Sequence, residues 1–204
     1  MFALVESGTI TQFPKGNKGI TLGENQYPSS IYTLWTEAER NAIGIYTVEI
    51  DSTNRKDEEF YINTNITYAF GSGKVTGSYG TATAKAIADA DAVDDSGNKL
   101  KDAEGNQVIN YGLKTKYKNK FNAEAAGLLA KTDWYVIKAA DVGSYSVPSN
   151  ITTYRAAVRT KVNAMETSID GCSDVAALIT LLTYTTDSEG VTSRPLGEFP
   201  DEVV

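Results

Sequence analysis

The spacing of apolar residues changes near residue 112, and this change constrains the fold more than any other feature of the sequence. Upstream, apolar residues stand in short alternating runs, whereas downstream they recur every three or four positions. The most regular stripe follows Pro148-Ser149, ends before Gly171, and consists of Ile151, Tyr154, Val158, Val162, Met165 and Ile169. Alternation is typical of half-buried strands, and a spacing of three to four is typical of amphipathic helices. The sequence therefore predicts strands first and helices second.

Two more helices are predicted in the second half of the chain. One starts at Leu113 and presents on one face Leu113, Tyr117, Phe121, Glu124 or Ala125, and Leu128. The other follows a cap at Ser173 or Asp174, and its predicted buried face consists of Val175, Leu178, Ile179 and Leu182. Neither of the two longer helices can hide its apolar stripe alone. We expect them to pair as an antiparallel helical hairpin, the alternative being that the stripe forms a subunit contact.

The first 80 residues are predicted to form a small, mostly-β domain with one short helix. Strand-like runs occupy positions 2–5, 9–13, 45–50, 60–62, 66–70 and 74–79. Thr36 and Glu39 have the spacing of a helix capping box, and Gly44 supplies the stop. Together with the helical second half, this domain predicts the α+β fold class.

Charge and turn residues divide the chain further. Residues 89–104 carry six acids against two lysines, and residues 187–204 carry five acids against one arginine. The rest of the chain is nearly neutral, although the net charge is −7. Two turn clusters of similar type, 94–98 and 102–106, lie in the first acidic segment. We predict four parts: an N-terminal α+β domain (1–80), an acidic turn-rich linker or projecting hairpin (81–111), a C-terminal helical domain (112–185) and an extended acidic tail (186–204).

The absence of histidine excludes several kinds of catalytic and metal site. With no histidine and one cysteine, Cys172, the chain cannot form a Ser-His-Asp or Cys-His centre, a histidine-ligated zinc site or an intrachain disulfide. We interpret Cys172 as a small apolar residue at a helix boundary. The acid excess disfavours nucleic acid, and the first residues have neither the basic start of a signal peptide nor a membrane-spanning apolar run. These features predict a protein made in the cytoplasm, with no nucleic-acid or membrane partner.

Three short patterns resemble ligand sites without meeting their requirements. Asp94-x-Ser96-x-Asn98 begins like a calcium loop, but Lys99 and Gly105 stand where glycine and glutamate are needed. The loop 15–19 lacks the spacing of a phosphate loop. The alternate lysines within 114–120 spread around a helix as a solvated face, with contact to an acidic partner as the alternative. No catalytic, cofactor-binding or metal-ligating residue is predicted, and no cofactor; a carboxylate-based carbohydrate-active enzyme is the remaining enzymatic alternative.

Several segments along the chain resemble a known family. They are LLAKTDW at 128–134, TYRAAVR at 153–159, FPKGNKGI at 13–20, LWTEAER at 34–40, GTATAKA at 80–86 and RPLGEFP at 194–200. This arrangement resembles bacteriophage tail-fibre-assembly-like and tail-associated virion proteins of the marine and cyanophage type. Residues 1–9 and Gly44-Ile45-Tyr46 are similar to the same group. The turn-rich block 81–110 is a departure from the short assembly proteins.

The resemblance implies a non-enzymatic structural protein of the phage tail, located in the virion, that connects or decorates tail fibres or the baseplate. The alternative is a dissociable chaperone that helps fibres fold and trimerise. The implied partners are fibre or baseplate proteins and, in a symmetric assembly, further copies of the chain. An apolar helix face and tyrosine-rich sheet edges are the expected contacts, with ordinary packing as the alternative for the 12 tyrosines.

The segments around residues 130 and 155 also predict internal contacts. We expect Trp134, Tyr154 and Arg159 to be internal anchors rather than contact residues. Thr132 or Asp133 is expected to cap the turn that carries Trp134. Arg155 and Arg159 are one helical turn apart and should share a face.

Overall fold

The computed structural model describes residues 1–203, and the chain divides between Thr83 and Ala84 into two compact units. The N-terminal unit contains the long strands, and the C-terminal unit contains the long helices. The structure is thus mixed α and β, which agrees at this level with the predicted α+β class.

The N-terminal unit is built mainly of strands. Its elements in chain order are β1 (Phe2–Glu6), β2 (Thr9–Gln12), β3 (Ile20–Leu22), β4 (Asn25–Tyr27), α1 (Ile31–Leu34), α2 (Glu37–Ala42), β5 (Ile45–Asp51), β6 (Tyr61–Ile62), β7 (Ile66–Gly71) and β8 (Lys74–Tyr79), while β9 (Thr83–Ala84) spans the boundary. Five strands form one sheet in the order β2-β1-β5-β8-β7, antiparallel except for the parallel pair β5 and β8. The turns Ser7-Gly8 and Ser72-Gly73 have positive φ at both residues, as two-residue hairpin turns require.

The sheet curls until its two edge strands come close together. Phe13, directly after β2, and Tyr68 in β7 have ring centroids 4.8 Å apart. Curling gives the sheet an inner and an outer face, and successive residues of β1 point alternately to the two faces. Ala3 packs inside with Val48 and Val75, whereas Leu4 packs outside in a cluster completed by α1 and the β3–β4 hairpin. Both faces of this sheet are therefore apolar.

The predicted short helix is confirmed as α2. Thr36 accepts a hydrogen bond from the Glu39 amide, and the Glu39 carboxylate accepts one from the Thr36 amide at 2.7 Å. Gly44 follows the helix with φ +82°, and a Cβ there would lie 2.7 Å from the Val5 carbonyl oxygen, so both conformation and space require glycine. The expectation of one short helix was wrong, because α1 precedes α2. Four residues are too few to give a detectable period.

The C-terminal unit opens with a block of tight turns between β10 (Ala90–Asp91) and β11 (Ile109–Asn110). Ala92, Leu100 and Val108 are bonded in a ring: each amide donates to the carbonyl of another member, at 2.8 to 3.0 Å. The loops between them are alike, each with aspartate, glycine and asparagine in the same places, and the glycines have positive φ. The two turn clusters noted in the sequence are therefore two copies of one structural repeat.

Hydrogen bonds inside these turns lower the pKa of Asp94 and Asp102 below the usual 3.8. For Asp94, the hydrogen bond from the Asn98 side chain lowers the pKa most, and the bond from the Asn98 amide is the next cause. For Asp102, the hydrogen bond from the Asn106 amide lowers the pKa most, and the bond from the Asn106 side chain lowers it further. The pKa of each carboxyl is lower in the folded state, so these bonds stabilise the turns fully at pH values above the usual pKa. That stabilisation is lost as the pH falls through the folded-state pKa.

Replacing Asn98 with alanine should raise the pKa of Asp94 toward 3.8, because the largest cause of its lowering is removed. Asp102 serves as an internal control, since its partners are on the other turn. A carboxyl NMR titration measures both midpoints in the wild type and in the variant. An unchanged Asp94 midpoint would show that the bond from Asn98 does not stabilise the carboxylate.

The helices of the C-terminal unit match the predicted stripes. The elements after β11 are α3 (Leu113–Ala130), α4 (Asp133–Asp141), α5 (Ser149–Asp170), α6 (Val175–Leu182), β12 (Thr185–Thr186) and β13 (Thr192–Ser193). All six residues of the predicted α5 stripe are buried. Lys118, early in α3, binds Asp170 at the end of α5 at 2.9 Å, and Asn122, one turn further, binds Glu166. The two helices are therefore antiparallel, with the unpredicted α4 between them in the chain.

The C-terminal segment differs from the free extended tail that its polarity predicted. Strands β12 and β13 pair around a further aspartate turn, in which Asp187 accepts from the amides of Glu189 and Val191. Beyond it, Leu196 is buried, and its amide donates to the Leu181 carbonyl at 3.1 Å. One leucine among polar residues gives no periodic signal, although its burial attaches the segment to the helices.

Candidate protein interaction surface

Helix α4 lies on the surface of its unit without one buried side chain. Only Tyr135 and Ala139, one turn apart, are half buried. Trp134, Val136 and Ile137 are 50%, 42% and 67% exposed. A helix of nine residues gains too little from its own hydrogen bonds to be stable alone, so contacts with its surroundings must hold it. Large apolar side chains exposed together on one helix are typical of a protein contact.

Helical geometry places the exposed residues on one outward face. Tyr135 and Ala139 mark the inward direction, and Ile137 occupies the centre of the opposite side. Asp133 also lies on this face but is paired with Arg155, so we define the α4 surface as the other five outward side chains: Trp134, Val136, Ile137, Ala140 and Asp141. Lys138 lies at its edge, with its Nζ 5.6 Å from the Trp134 ring centroid. The surface thus combines an aromatic ring, aliphatic groups and one carboxylate.

A buried arginine of α5 holds the start of α4. The Nη1 of Arg155 donates to the Leu129 carbonyl at 2.8 Å and to the Thr132 hydroxyl at 2.7 Å. Its Nη2 lies 2.8 Å from a carboxylate oxygen of Asp133, the first residue of α4. One guanidinium therefore satisfies a carbonyl at the end of α3 and pairs with the first acid of α4. This cluster, with Arg155 only 8% exposed, fixes the direction in which α4 leaves α3.

The predicted anchors have different positions from those expected, except for Tyr154. Tyr154 is buried, and burial raises the pKa of its hydroxyl. Trp134 is half exposed and Arg159 is exposed, so neither is an internal anchor. The physical reason for Trp134 is the orientation of α4: Tyr135 and Ala139 face the unit, and Trp134, about 100° from Tyr135 around the helix, is left on the outside.

The expected capping of α4 by Thr132 or Asp133 is also wrong. Neither side chain bonds an amide of the first turn of α4. The Thr132 hydroxyl instead donates to the Leu129 carbonyl and accepts from Arg155, and Asp133 pairs with Arg155. Sequence reasoning named Arg155 only as a neighbour of Arg159. Arg155 lies four residues after Ile151 and three before Val158, and this spacing was the signal that it faces inward with the α5 stripe.

The tyrosines of the sheet are packing residues rather than an exposed edge. Tyr68 is 36% exposed and lies against Phe13 where the two edge strands meet. Tyr111 and Tyr184 are more exposed, but both lie in the C-terminal unit. The Tyr184 hydroxyl donates to Glu198 at 2.7 Å, and this hydrogen bond raises its pKa. The sheet edges therefore contribute little to an interaction surface.

The side chains give little support for a metal site, a membrane-spanning helix or a reactive cysteine. Within residues 1–203, no three cysteine, aspartate or glutamate side chains come together as a metal site would require. In the same part of the chain, none of the helices has both the length and the apolar character needed to cross a bilayer. Cys172 is buried after α5, and burial raises the pKa of its thiol, in agreement with a small apolar residue at a helix boundary.

The α4 surface and the Arg155 cluster beneath it together form a pre-positioned apolar contact. Its side chains can exclude water and pack against another protein, and its charged groups can orient that partner. Compared with protein-family models, curated proteins and solved structures, the chain gives no match.

Proposed function

We propose that this chain is a non-enzymatic structural protein of a bacteriophage tail, which connects or decorates tail fibres or the baseplate through protein contacts. The exposed α4 surface is the observation that carries the proposal. The resemblance to tail-associated virion proteins supports it, because the segments 128–134 and 153–159 supply the residues of the Arg155 cluster. The protein is made in the host cytoplasm and resides in the virion tail.

The α4 surface has the properties of the centre of a protein interface. Tryptophan is enriched among the residues that contribute most to binding free energy at such centres, and Val136 and Ile137 add exposed apolar area beside Trp134. The Arg155 cluster fixes the helix before binding, so little conformational entropy is lost on docking. In this proposal the antiparallel pair α3 and α5 acts as a helical hairpin scaffold that presents α4 to its partner.

Quantitative mass spectrometry of purified virions tests the proposal. We expect the chain to be present in a fixed ratio to a fibre or baseplate subunit, and to remain after washing at high salt, because an apolar contact is not weakened by screening. Absence from virions, together with abundance in the infected-cell lysate, would contradict a structural role and favour the fibre-assembly chaperone. The soluble yield of the fibre with and without co-expression of this chain would then measure that alternative.

A further inference from the structure

We propose that the α4 surface binds the α4 surface of a second copy of this chain, with the two helices antiparallel about a twofold axis. Such a contact is isologous: the same residues meet from both sides. The inference deepens the proposed function by naming the occupant of this surface: in a symmetric tail assembly, the α4 surface joins two copies of the chain, and the pair so formed connects to fibres or the baseplate. It rests on that function only in treating α4 as a protein contact.

The unpaired carboxylate of Asp141 selects the orientation. Asp141 lies in the last turn of α4, where the helix dipole disfavours a negative charge. Among residues 1–203, no basic side chain forms an ion pair with it. Asp133, at the other end of α4, is paired with Arg155. A second copy that brings positive charge to the end of α4 therefore gains an ion pair with Asp141. At the start of α4 it meets no unpaired acid.

An antiparallel pair brings that charge to Asp141. With the axis near Ile137, the start of each helix lies opposite the end of the other, so Trp134 faces the partner's Asp141. The Nζ of Lys138 lies between two rings, 4.4 Å from the Tyr145 centroid and 5.6 Å from the Trp134 centroid. Turning from Tyr145 toward Trp134 brings it within reach of the partner's Asp141. Each copy then gains an ion pair, and each Asp141 lies beside the positive end of the opposing helix dipole. A parallel pair would instead bring the two Asp141 carboxylates together.

The apolar residues of the α4 surface also fit a second copy. Ile137 meets its counterpart at the axis, while Val136 and Ala140 are small enough to let the helices approach closely. The helix contributes only a few hundred Å² from each copy, so the total buried area is below about 1,200 Å², at the low end for specific complexes. We therefore expect a weak dimer with a dissociation constant in the micromolar range.

Sedimentation equilibrium of the purified chain, residues 1–204, measures this association. We expect a reversible monomer–dimer equilibrium in the wild type. Ile137→Asp should weaken it at least about 30-fold, the size expected of a central contact residue. Val191→Asp is the matched control, because Val191 is 57% exposed in the same unit but lies outside α4. Both positions are exposed, so circular dichroism of the two variants should equal that of the wild type.

Charge exchange tests the antiparallel geometry. Lys138→Asp and Asp141→Lys should each weaken self-association, because like charges then meet across the axis. Mixing the two variants should restore a one-to-one complex, since each carries the charge that the other lacks. Contacts elsewhere on the chain would not give this rescue. The mixture therefore separates the proposed contact from a nonspecific association. The orientation is read from a mixture of Asp141→Lys with the wild type. An antiparallel pair keeps one ion pair and creates one repulsive contact with Lys138, so the mixed pair is intermediate between the two homodimers, whereas a parallel pair would place the new lysine against Asp141 and associate more tightly than either.

Three results would overturn the inference: a wild-type chain that remains monomeric up to about 1 mM, an Ile137→Asp variant that dimerises like the wild type, or a charge-exchange mixture that does not associate. If the wild type is monomeric and Ile137→Asp loses binding to a purified fibre or baseplate subunit, the surface belongs to that subunit and self-pairing is wrong. The abundance of the chain in virions bears on the proposed function alone, so the two proposals can fail separately.

Discussion

Replacing Arg155 with leucine is expected to lower the free energy of unfolding of the C-terminal unit by about 3 kcal/mol. The Leu129 carbonyl and the Thr132 hydroxyl both lose a charged donor. Asp133 is 52% exposed, so water screens its pair with Arg155 and its share is small. Urea unfolding, followed by helical circular dichroism, measures the change, because the long helices belong to this unit.

Arg159 provides the matched control for this substitution. It is one turn away on the same helix and exposed, and within residues 1–203 its side chain has a single long hydrogen bond, to the Arg155 carbonyl at 3.4 Å. Arg159→Leu should therefore change stability by less than about 0.5 kcal/mol. Arg155→Lys should be intermediate, because a lysine keeps the charge and loses the planar fork of donors. Equal stabilities of the Arg155→Leu and Arg159→Leu variants would contradict the role assigned to the cluster.

Replacing Phe121 with alanine should lower the free energy of unfolding of the same unit by about 4 kcal/mol. Phe121 is 2% exposed, so the change leaves a cavity among the helices. It also removes the ring beneath Arg194, whose guanidinium carbon lies 5.3 Å from the ring centroid. Because Arg194 precedes the buried Leu196, we expect the C-terminal segment to detach more readily. The Leu196 amide, bonded to the Leu181 carbonyl, should exchange faster with solvent.

Tyr111 is the control for the loss of an aromatic ring, because it is 56% exposed in the same unit. Tyr111→Ala should change stability by less than about 0.5 kcal/mol and leave Leu196 exchange as in the wild type. A Phe121→Ala variant that loses less than about 1 kcal/mol would show that the ring does not support the core.

The sequence predicts most reliably the elements whose signals are local. The α5 stripe from Ile151 to Ile169 is buried as its spacing requires, and the Thr36–Glu39 capping box is formed. The two-residue turn predicted at Ser7-Gly8 is also present, with positive φ at both residues. In each of these cases the positions that determine the structure lie within a few residues or on one helix face.

The candidate site could not be predicted in the same way, because it depends on residues far apart in the sequence. Trp134 is exposed because α4 turns Tyr135 and Ala139 toward its unit, and the direction of α4 is fixed by Arg155 in another helix. A tryptophan considered alone is expected in the interior. The sequence of α4 is apolar on several sides of the helix, so no single stripe marks its buried face. That lack of a single stripe agrees with a helix that packs on one side and exposes apolar groups on the other. Leu196 was missed for a similar reason, as its partner Leu181 lies in α6.

The incorporation of α4 variants into virions tests the central claim, that the α4 surface is the contact through which this chain functions. Phage carrying Ile137→Asp or the control Val191→Asp would be purified, and the chain quantified relative to a fibre or baseplate subunit. We predict that Val191→Asp is incorporated like the wild type, while Ile137→Asp is largely lost, because a buried aspartate at the centre of a contact is strongly destabilising. Incorporation of the Ile137→Asp protein at the wild-type ratio would contradict the claim.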